Sequence, residues 1–498
     1  MGKSLNILMI ASEVEPFAKV GGLADVVGAI PKALAARGHD VRIVMPRYYR
    51  VDRQALALQP TGGPLGVPMG ALGEKWCAVL TGYLPGTDIP VHFIEHEHYY
   101  GRDGLYQQSG IDFSDNAERF LFLSRAGLEF CRMSGFKPHI VHAHDWHTAL
   151  VPVLLNTVYR HDSILEDAVS LLTIHNLQHQ GIFPKEFMNT IGIGWQHFHS
   201  RDLEYYDQVN CLKGGIYHAD IINTVSPTYA GEIQQPEYGY GLDGVIRDRS
   251  EDLYGILNGI DYEVWNPAAD PMVHISYDAG NPVGKQLCKK DLQQISGLLE
   301  RDDVPLIGMV TRLVEQKGID VLAQAIHTIL GLDLQMVILG SGEPWAHEYF
   351  RSISDRNKGK FSFMQGYSDA MAHKIIAGSD FFLIPSRFEP CGLTQMYAMR
   401  YGTIPIVRAT GGLNDTVENF DEPSGTGTGF KFWDLSASAL EGTIRWALEK
   451  GYHNPETLKI LRLRIMGKRF PWKESAEEYE DLYIRAIENS RTHHHPLT

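Results

Sequence analysis

The sequence has no run of 18 or more apolar residues, the length at which a segment reads as a membrane-spanning helix. It also lacks a positive balance. Lys and Arg number 45 against 60 Asp and Glu, a formal net charge of -15, so the chain carries no electrostatic footprint for nucleic acid. An anionic ligand must therefore be held by a local cluster of cations and backbone N–H groups, against the overall field. Cysteine is sparse: Cys77, Cys131, Cys211, Cys288 and Cys391 are odd in number, widely spaced and free of any CxxC pair. No disulfide framework or zinc ribbon follows from them, and a reducing cytoplasm is the expected location. The start, MGKSLNILMIASEVEPF, has a cation and a short apolar run. Glu13 and Glu15 follow at once without a small-residue cleavage pattern, which favours a buried strand over a signal peptide. Asn6 breaks the myristoylation pattern.

A chain of 498 residues is too long for one ordinary domain. Short β-branched runs alternate with helical patterns throughout. NILMIAS, VRIVMP, VHFIEH, HIVHAHD, SLLTIHN and IINTVSP form a first series; LYGILNGI, PLIGMVTRL, MVILGSG, FSFMQGY, FFLIPS and TIPIVRAT form a second. Such alternation implies α/β architecture with parallel sheets covered on both faces, here two doubly wound Rossmann-like domains. The expected division is residues 1–253 and 254–471, with the amphipathic tail from about 472 to 498 crossing back to the first domain. Polar residues cluster after the strands: Glu13, His144-Asp145, His175-Asn176, Asn258-Gly259, Arg312 and Arg387-Phe388-Glu389. Ligands of doubly wound sheets sit at those ends, and two such rims would face each other across a cleft.

Four stretches carry chemistry. In SRFEPCGLTQMYAMRYGTIP, residues 386–405, a strand ends, Pro390 breaks the chain and a helical pattern runs up to Gly402. The free helix start offers N–H groups to an anion. Glu389 beside it suits sugar hydroxyls, or else simply caps the helix. In TRLVEQKG, Arg312 and Lys317 lie five apart across a strand-to-helix turn, able to converge on one pyrophosphate or to remain solvated cations. HIVHAHDWHTAL and TIHNLQHQG place His142, His144, His147, Asp145, Trp146, His175 and Asn176 at strand ends. A metal site, a carbohydrate site and core histidines are all compatible with them. His96-Glu97-His98 reads as a polar loop. Finally, KVGGLADVV sets Lys19 before Gly21-Gly22, and Gly411-Gly412-Leu413-Asn414-Asp415 repeats its GGLxDxV pattern. The lysine precedes the glycines, unlike a P-loop, and no G-x-G-x-x-G follows the first strand. A dinucleotide oxidoreductase is correspondingly disfavoured.

In these motifs, KVGGLADV, HAHDWHT, TIHNLQHQG, LNGID, TRLVEQKG and EPCGLTQMYAMRYGTIP in that order, the chain closely resembles the bacterial and plant glycogen/starch synthases over nearly its whole length. These are retaining glucosyltransferases of the two-Rossmann-domain (GT-B) type. The resemblance implies transfer of glucose from a nucleotide sugar, usually ADP-glucose, to the non-reducing end of an α-1,4-glucan, with no metal and no cofactor. It implies Glu389, Arg312, Lys317 and His175 as catalytic. Lys19, Gly21, Gly22, Asn258, Tyr367, Cys391, Gly392, Leu393 and Thr394 are implied on the donor, and Asp145, Trp146 and Asn176 on the acceptor. Many retaining enzymes of this fold carry a second glutamate eight residues after the first, where this chain has Tyr397; the glycogen synthases resemble it in lacking one. A sucrose or trehalose-phosphate type transferase and a non-catalytic glucan-binding protein are the alternatives. A glucan primer separates them from the synthase reading, because fructose or glucose 6-phosphate should accept nothing from it.

Overall fold

A computed structural model describes residues 4–281 and 283–493 and divides into two compact units. The first comprises Met1–Val225, Ala230–Ile256 and Trp472–Thr498; the second comprises Ser226–Tyr229 and Leu257–Pro471. Among the described residues no helix is long and apolar enough to cross a membrane.

The apolar run Asn6–Ile10 is the central strand of the first sheet, with Ile7 to Ile10 fully buried. Asp40–Pro46 lies parallel on one side of it and Ile140–His144 on the other. Outward from the latter follow Val169–Ile174, Ile221–Thr224 and Leu253–Gly255; outward from the former follow Pro90–Glu95 and the antiparallel Glu74–Tyr83. The chain therefore reverses its winding between the first strand and Ile140–His144. LYG of LYGILNGI is the edge of this sheet and not the opening of the second series, because Ile222, Asn223 and Thr224 pair with Leu253, Tyr254 and Gly255. Its three residues extend the sheet before the chain leaves at Leu257, which shifts the division slightly from residue 253. His96-Glu97-His98 is likewise no simple loop: His96 accepts from the Tyr99 amide and caps the short helix Glu97–Tyr100.

The terminal helix Trp472–His493 belongs to the first unit and packs against the helix Gly22–Ala35. Ala476, Tyr479, Tyr483 and Ala486 form its buried stripe, at helical spacing. Tyr483 and Tyr479 reach a polar line inside the core. Thr173 donates to Asn223 Oδ1, so its oxygen accepts from His142 Nε2 at 2.6 Å. His142 Nδ1 is then left as the acceptor for the Tyr483 hydroxyl at 2.9 Å.

The second sheet is wholly parallel. Its strands in chain order are Leu306–Leu313, Gln335–Gly342, Phe361–Gln365, Phe381–Ile384, Ile404–Arg408 and Phe430–Phe432. In space they run third, second, first, fourth, fifth, sixth, the doubly wound order of dinucleotide-binding folds. Here the winding reverses between Leu306–Leu313 and Phe381–Ile384.

Six histidines of the first unit are buried, and burial lowers the pKa of each of them, His39 included. Burial pushes His92 down to about 4 and His175 to about 3, and holds His142, His144 and His147 well below the usual value. Below pH ~6.5 the unfolded chain takes up protons that these folded rings refuse, at up to roughly 1.4 kcal/mol per pH unit for each ring. Glu13, Asp25 and Asp145 act oppositely, because burial raises their carboxyls and the folded state protonates first. The histidines outnumber them, so urea midpoints should fall from pH 7 to pH 5. His92→Gln should flatten that slope, and a midpoint that rises on acidification contradicts the assignment.

Candidate active site

At the reversal point of the second sheet, the end of Leu306–Leu313 carries Arg312, which is exposed and donates to Gln316 Oε1 at 3.3 Å. A single 3-10 turn, Glu315–Lys317, follows and stops at Gly318 in a left-handed conformation, φ +69°. A Cβ there would lie 2.0 Å from the Pro385 carbonyl, so only glycine lets this turn press against the neighbouring strand's exit. Gln316 completes the contact by accepting the Arg387 amide at its backbone oxygen. Lys317 is thereby brought onto Glu389, donating to its two carboxylate oxygens at 2.8 and 2.6 Å. Ser386 Oγ donates to the same carboxylate at 2.8 Å. Both charged side chains are largely buried, 17% and 11% exposed, where a charge is tolerated only with its partner.

Glu389 is not a helix cap. The helix Thr394–Arg400 begins five residues later, and its N-cap, Leu393, supplies no side-chain bond. Among the described residues, the amides of Gly392, Leu393 and Thr394 meet no acceptor. The second copy of the Gly-Gly motif holds this loop. Gly411 has φ +44° and a Cβ on it would stand 1.9 Å from the Glu389 carbonyl; one on Gly412 would stand 2.1 Å from that of Cys391. Cys391 is buried, its thiol pushed up to about 12 by desolvation. Asn258 is also buried, with Oδ1 unpartnered among the described residues. Tyr367 stands apart: it follows Phe361–Gln365, two strands away from Leu306–Leu313, and is 73% exposed with its hydroxyl on Asp369.

At the reversal point of the first sheet, Glu13 follows the first strand and turns inward. Its carboxylate accepts from the amides of Val20 and Gly21 and from the Tyr106 hydroxyl. It fixes the glycine loop from below and takes the single amide proton of Gly21. Lys19 pairs with Asp25 at 2.6 Å. A Cβ added to Gly21 or Gly22 meets nothing within 4 Å, so packing within the unit does not demand these glycines. The two copies of GGLxDxV therefore differ: one is wedged, the other lies open.

Asp145 begins the turn after Ile140–His144 in a left-handed conformation, φ +54°, which Asp and Asn adopt more readily than other side chains. Its Oδ1 accepts from the amides of His175 at 2.7 Å and Asn176 at 3.3 Å. Burial nevertheless pushes its carboxyl up to about 7. Asp145 thus orients the next strand's exit instead of presenting a free carboxylate. His175 Nε2 lies 3.1 Å from His144 Nδ1, and His144 stacks on His142 at 4.1 Å. With His142 bonded to Tyr483 and Thr173, these rings form a packed core line and not a metal cage. Trp146 is half-buried against Phe120, His147 and Phe183, and a Cβ on Gly181 would strike its indole at 2.3 Å. Much of the indole face that an acceptor sugar could stack on is therefore already covered. Asn176 Oδ1 accepts from the Gln178 amide at 3.0 Å.

The Asp145 geometry separates two substitutions. Asp145→Asn keeps an acceptor oxygen and the left-handed preference, so it should change unfolding free energy by less than about 1 kcal/mol. Asp145→Ala strands two amides and strains the backbone, at a cost of about 2–4 kcal/mol. Urea denaturation of both variants checks this; equal losses would refute it.

Residues 6–248 match the starch synthase catalytic domain family and residues 292–462 match glycosyl transferases group 1. The chain is 57% identical over 485 residues to glycogen synthase 1 of Geobacter metallireducens, covering 97% of each chain. It is 44% identical to the glycogen synthase of Treponema denticola over 97% of this chain and 99% of the relative. The catalytic domain of starch synthase IV from Arabidopsis thaliana, bound to ADP and acarbose, superposes with a TM-score of 0.89 at 36% identity, covering 98% and 100% of the two chains. A sucrose-phosphate synthase from Thermosynechococcus elongatus, at 17% identity and TM-score 0.58, shares the fold alone. The two doubly wound sheets, the motifs at their reversal points and this full-length similarity make the chain a member of the glycogen/starch synthase family of GT-B glycosyltransferases.

Proposed function

We propose that the protein is a glycogen synthase that transfers glucose from ADP-glucose to the non-reducing end of an α-1,4-glucan with retention of configuration. The observation that carries this reading is the Lys317–Glu389 pair at the reversal point of the second sheet, beside the uncommitted amides of Gly392, Leu393 and Thr394. A nucleoside diphosphate sugar offers what that arrangement lacks: phosphate oxygens for the amides and for Lys317 and Arg312, and hydroxyls for Glu389. Thr394 and the Cys391 backbone extend the same cradle, Asn258 Oδ1 supplies a buried acceptor, and exposed Tyr367 serves the base. On the first unit's own rim, Lys19 and the open positions Gly21 and Gly22 leave room for an anionic group beside a cation. His175 positions the glucose, while Asp145 acts through its hold on the His175 and Asn176 amides, and Trp146 supports that shape.

In the reaction the bond from the anomeric carbon to the phosphate oxygen breaks and one to the acceptor hydroxyl oxygen forms. The acceptor proton passes to the departing phosphate. Retaining hydrolases use two carboxylates about 5 Å apart. Here the position eight residues after Glu389 is Tyr397, whose ring stacks on Trp265 at 3.8 Å and which supplies no second carboxylate. Front-face displacement, with charge on the leaving phosphate stabilised by Lys317, Arg312 and the loop amides, fits this composition. No metal or cofactor takes part, the partners are the nucleotide sugar and the glucan with no nucleic acid and no membrane, and the enzyme works in the cytoplasm.

Labelled-glucose incorporation into glycogen tests the reading. Transfer should be faster from ADP-glucose than from UDP-glucose, unchanged by chelator, and absent with fructose 6-phosphate or glucose 6-phosphate as acceptor. Incorporation into those sugar phosphates instead would favour the alternative transferases. Lys317→Met and Glu389→Gln should each lower kcat by about 10²–10³. Each single change also breaks a buried pair, at about 3–5 kcal/mol. The double variant should regain stability and stay slow; recovery of rate together with stability would reduce the pair to scaffolding.

A further inference from the structure

The polar cluster that the transfer reaction leaves unused lies in the first unit, between a loop and a helix end. His197 closes the short 3-10 turn Trp195–His197, and His218 is the last residue of the helix Cys211–His218. Between them sits Asp202, a carboxylate only 4% exposed. His197 Nδ1 is 2.7 Å from Asp202 Oδ2, and His218 Nε2 is 3.0 Å from Oδ1. The three donor atoms all lie within 4.8 Å of one another, and among the described residues no other such group occurs.

We infer that these three residues bind a divalent transition metal of the zinc class, which ties the Trp195–Asp202 loop to the end of the Cys211–His218 helix. Two imidazoles and one carboxylate are an ordinary zinc donor set. Bonds of roughly 2.0–2.1 Å in a tetrahedral site put donor atoms about 3.3 Å apart. The two His–Asp spacings of 2.7 and 3.0 Å open slightly around an ion, while the two ring nitrogens, within 4.8 Å of each other, settle to the same separation. The carboxylate is already in place: the Asp202 amide donates to the His199 carbonyl and the Leu203 amide to that of His197, which fixes the loop around it. His218 is held at its own backbone, where its carbonyl accepts from Asn156 Nδ2 at 2.7 Å.

His199 does not complete the set. Its Nδ1 accepts from the Arg201 amide at 3.2 Å, which leaves the proton on Nε2, 4.0 Å from Asp202. The remaining coordination position therefore falls to water. Lys213 is the cation whose field reaches Asp202, but its ammonium is given to the Glu204 carbonyl. The hydrogen bonds from both rings to Asp202 are the metal-free arrangement; loading the ion moves those two ring protons away and replaces two bonds with three.

The sequence run His493-His494-His495 can bind metal by itself, so the experiment uses the full chain with these three changed to alanine. The chelator-stripped protein is titrated with Co²⁺, followed by its visible d–d absorption, and with Zn²⁺, followed by calorimetry and thermal unfolding. One equivalent should bind, with the absorption of a four-coordinate ion and a rise in Tm. His197→Gln and His218→Gln, each checked for the native fold by circular dichroism, should weaken binding by tenfold or more. Absence of stoichiometric binding, or binding unmoved by both variants, overturns the site and shows a hydrogen-bonded His–Asp–His link only. Glucose transfer is no readout here, so the outcome is independent of the function proposed above.

Discussion

A parallel sheet covered by helices on both faces buries its strands among apolar side chains, so polar chemistry is confined to where strands end. Within each unit the winding reverses once, beside the first strand, and the loops leaving the two strands there part in opposite directions. The space between them is set by topology before any side chain is chosen. In the second unit it receives Arg312, Lys317 and Glu389; in the first it receives Glu13, the glycine loop and Asp145. The site residues are far apart in sequence because the strands that deliver them are.

Within that frame, the Lys317–Glu389 pair is held by groups with no chemical role of their own. Gly318 permits the close approach, Ser386 adds a donor, and Gln316 joins the turn to the chain before Glu389. A lysine and a carboxylate this poorly solvated each need the other as a partner. The pair is also divisible by a ligand. A phosphate can take the ammonium while sugar hydroxyls take the carboxylate, so the same two groups are satisfied with substrate or without it. That accounts for charged residues standing ready at low exposure without an orphaned charge.

The strands were legible because β-branched runs of this length have few alternatives, and the motifs were legible because turn glycines and charges stand directly after them. What escaped was set by geometry that no spacing encodes. Leu253–Gly255 is too short to declare its sheet and is assigned only by its ladder to Ile221–Thr224. Asp145 reads in the sequence as an acceptor residue, whereas a left-handed backbone turns its carboxylate onto two amides. Trp146, an acceptor residue by resemblance, has Gly181 and Phe183 packed against its indole. His142 and His144, spaced as metal ligands on a strand, face the core, whereas His197, Asp202 and His218 have no regular spacing and yet converge.

The repeated GGLxDxV motif shows how one local pattern serves two physical ends. Both copies start a helix after an extended residue, Gly21 in the first and Thr410 in the second. The second copy has no room above it: the Glu389 and Cys391 carbonyls occupy the space a Cβ needs, and Asp415 is spent on the amide and hydroxyl of Thr228. The first has nothing within 4 Å of either missing Cβ, and its aspartate holds Lys19. Glycine in the second copy is explained by the fold that surrounds it. Glycine in the first is not, and a helix start stripped of side chains, beside a lysine, is what close approach of an anionic substrate would require.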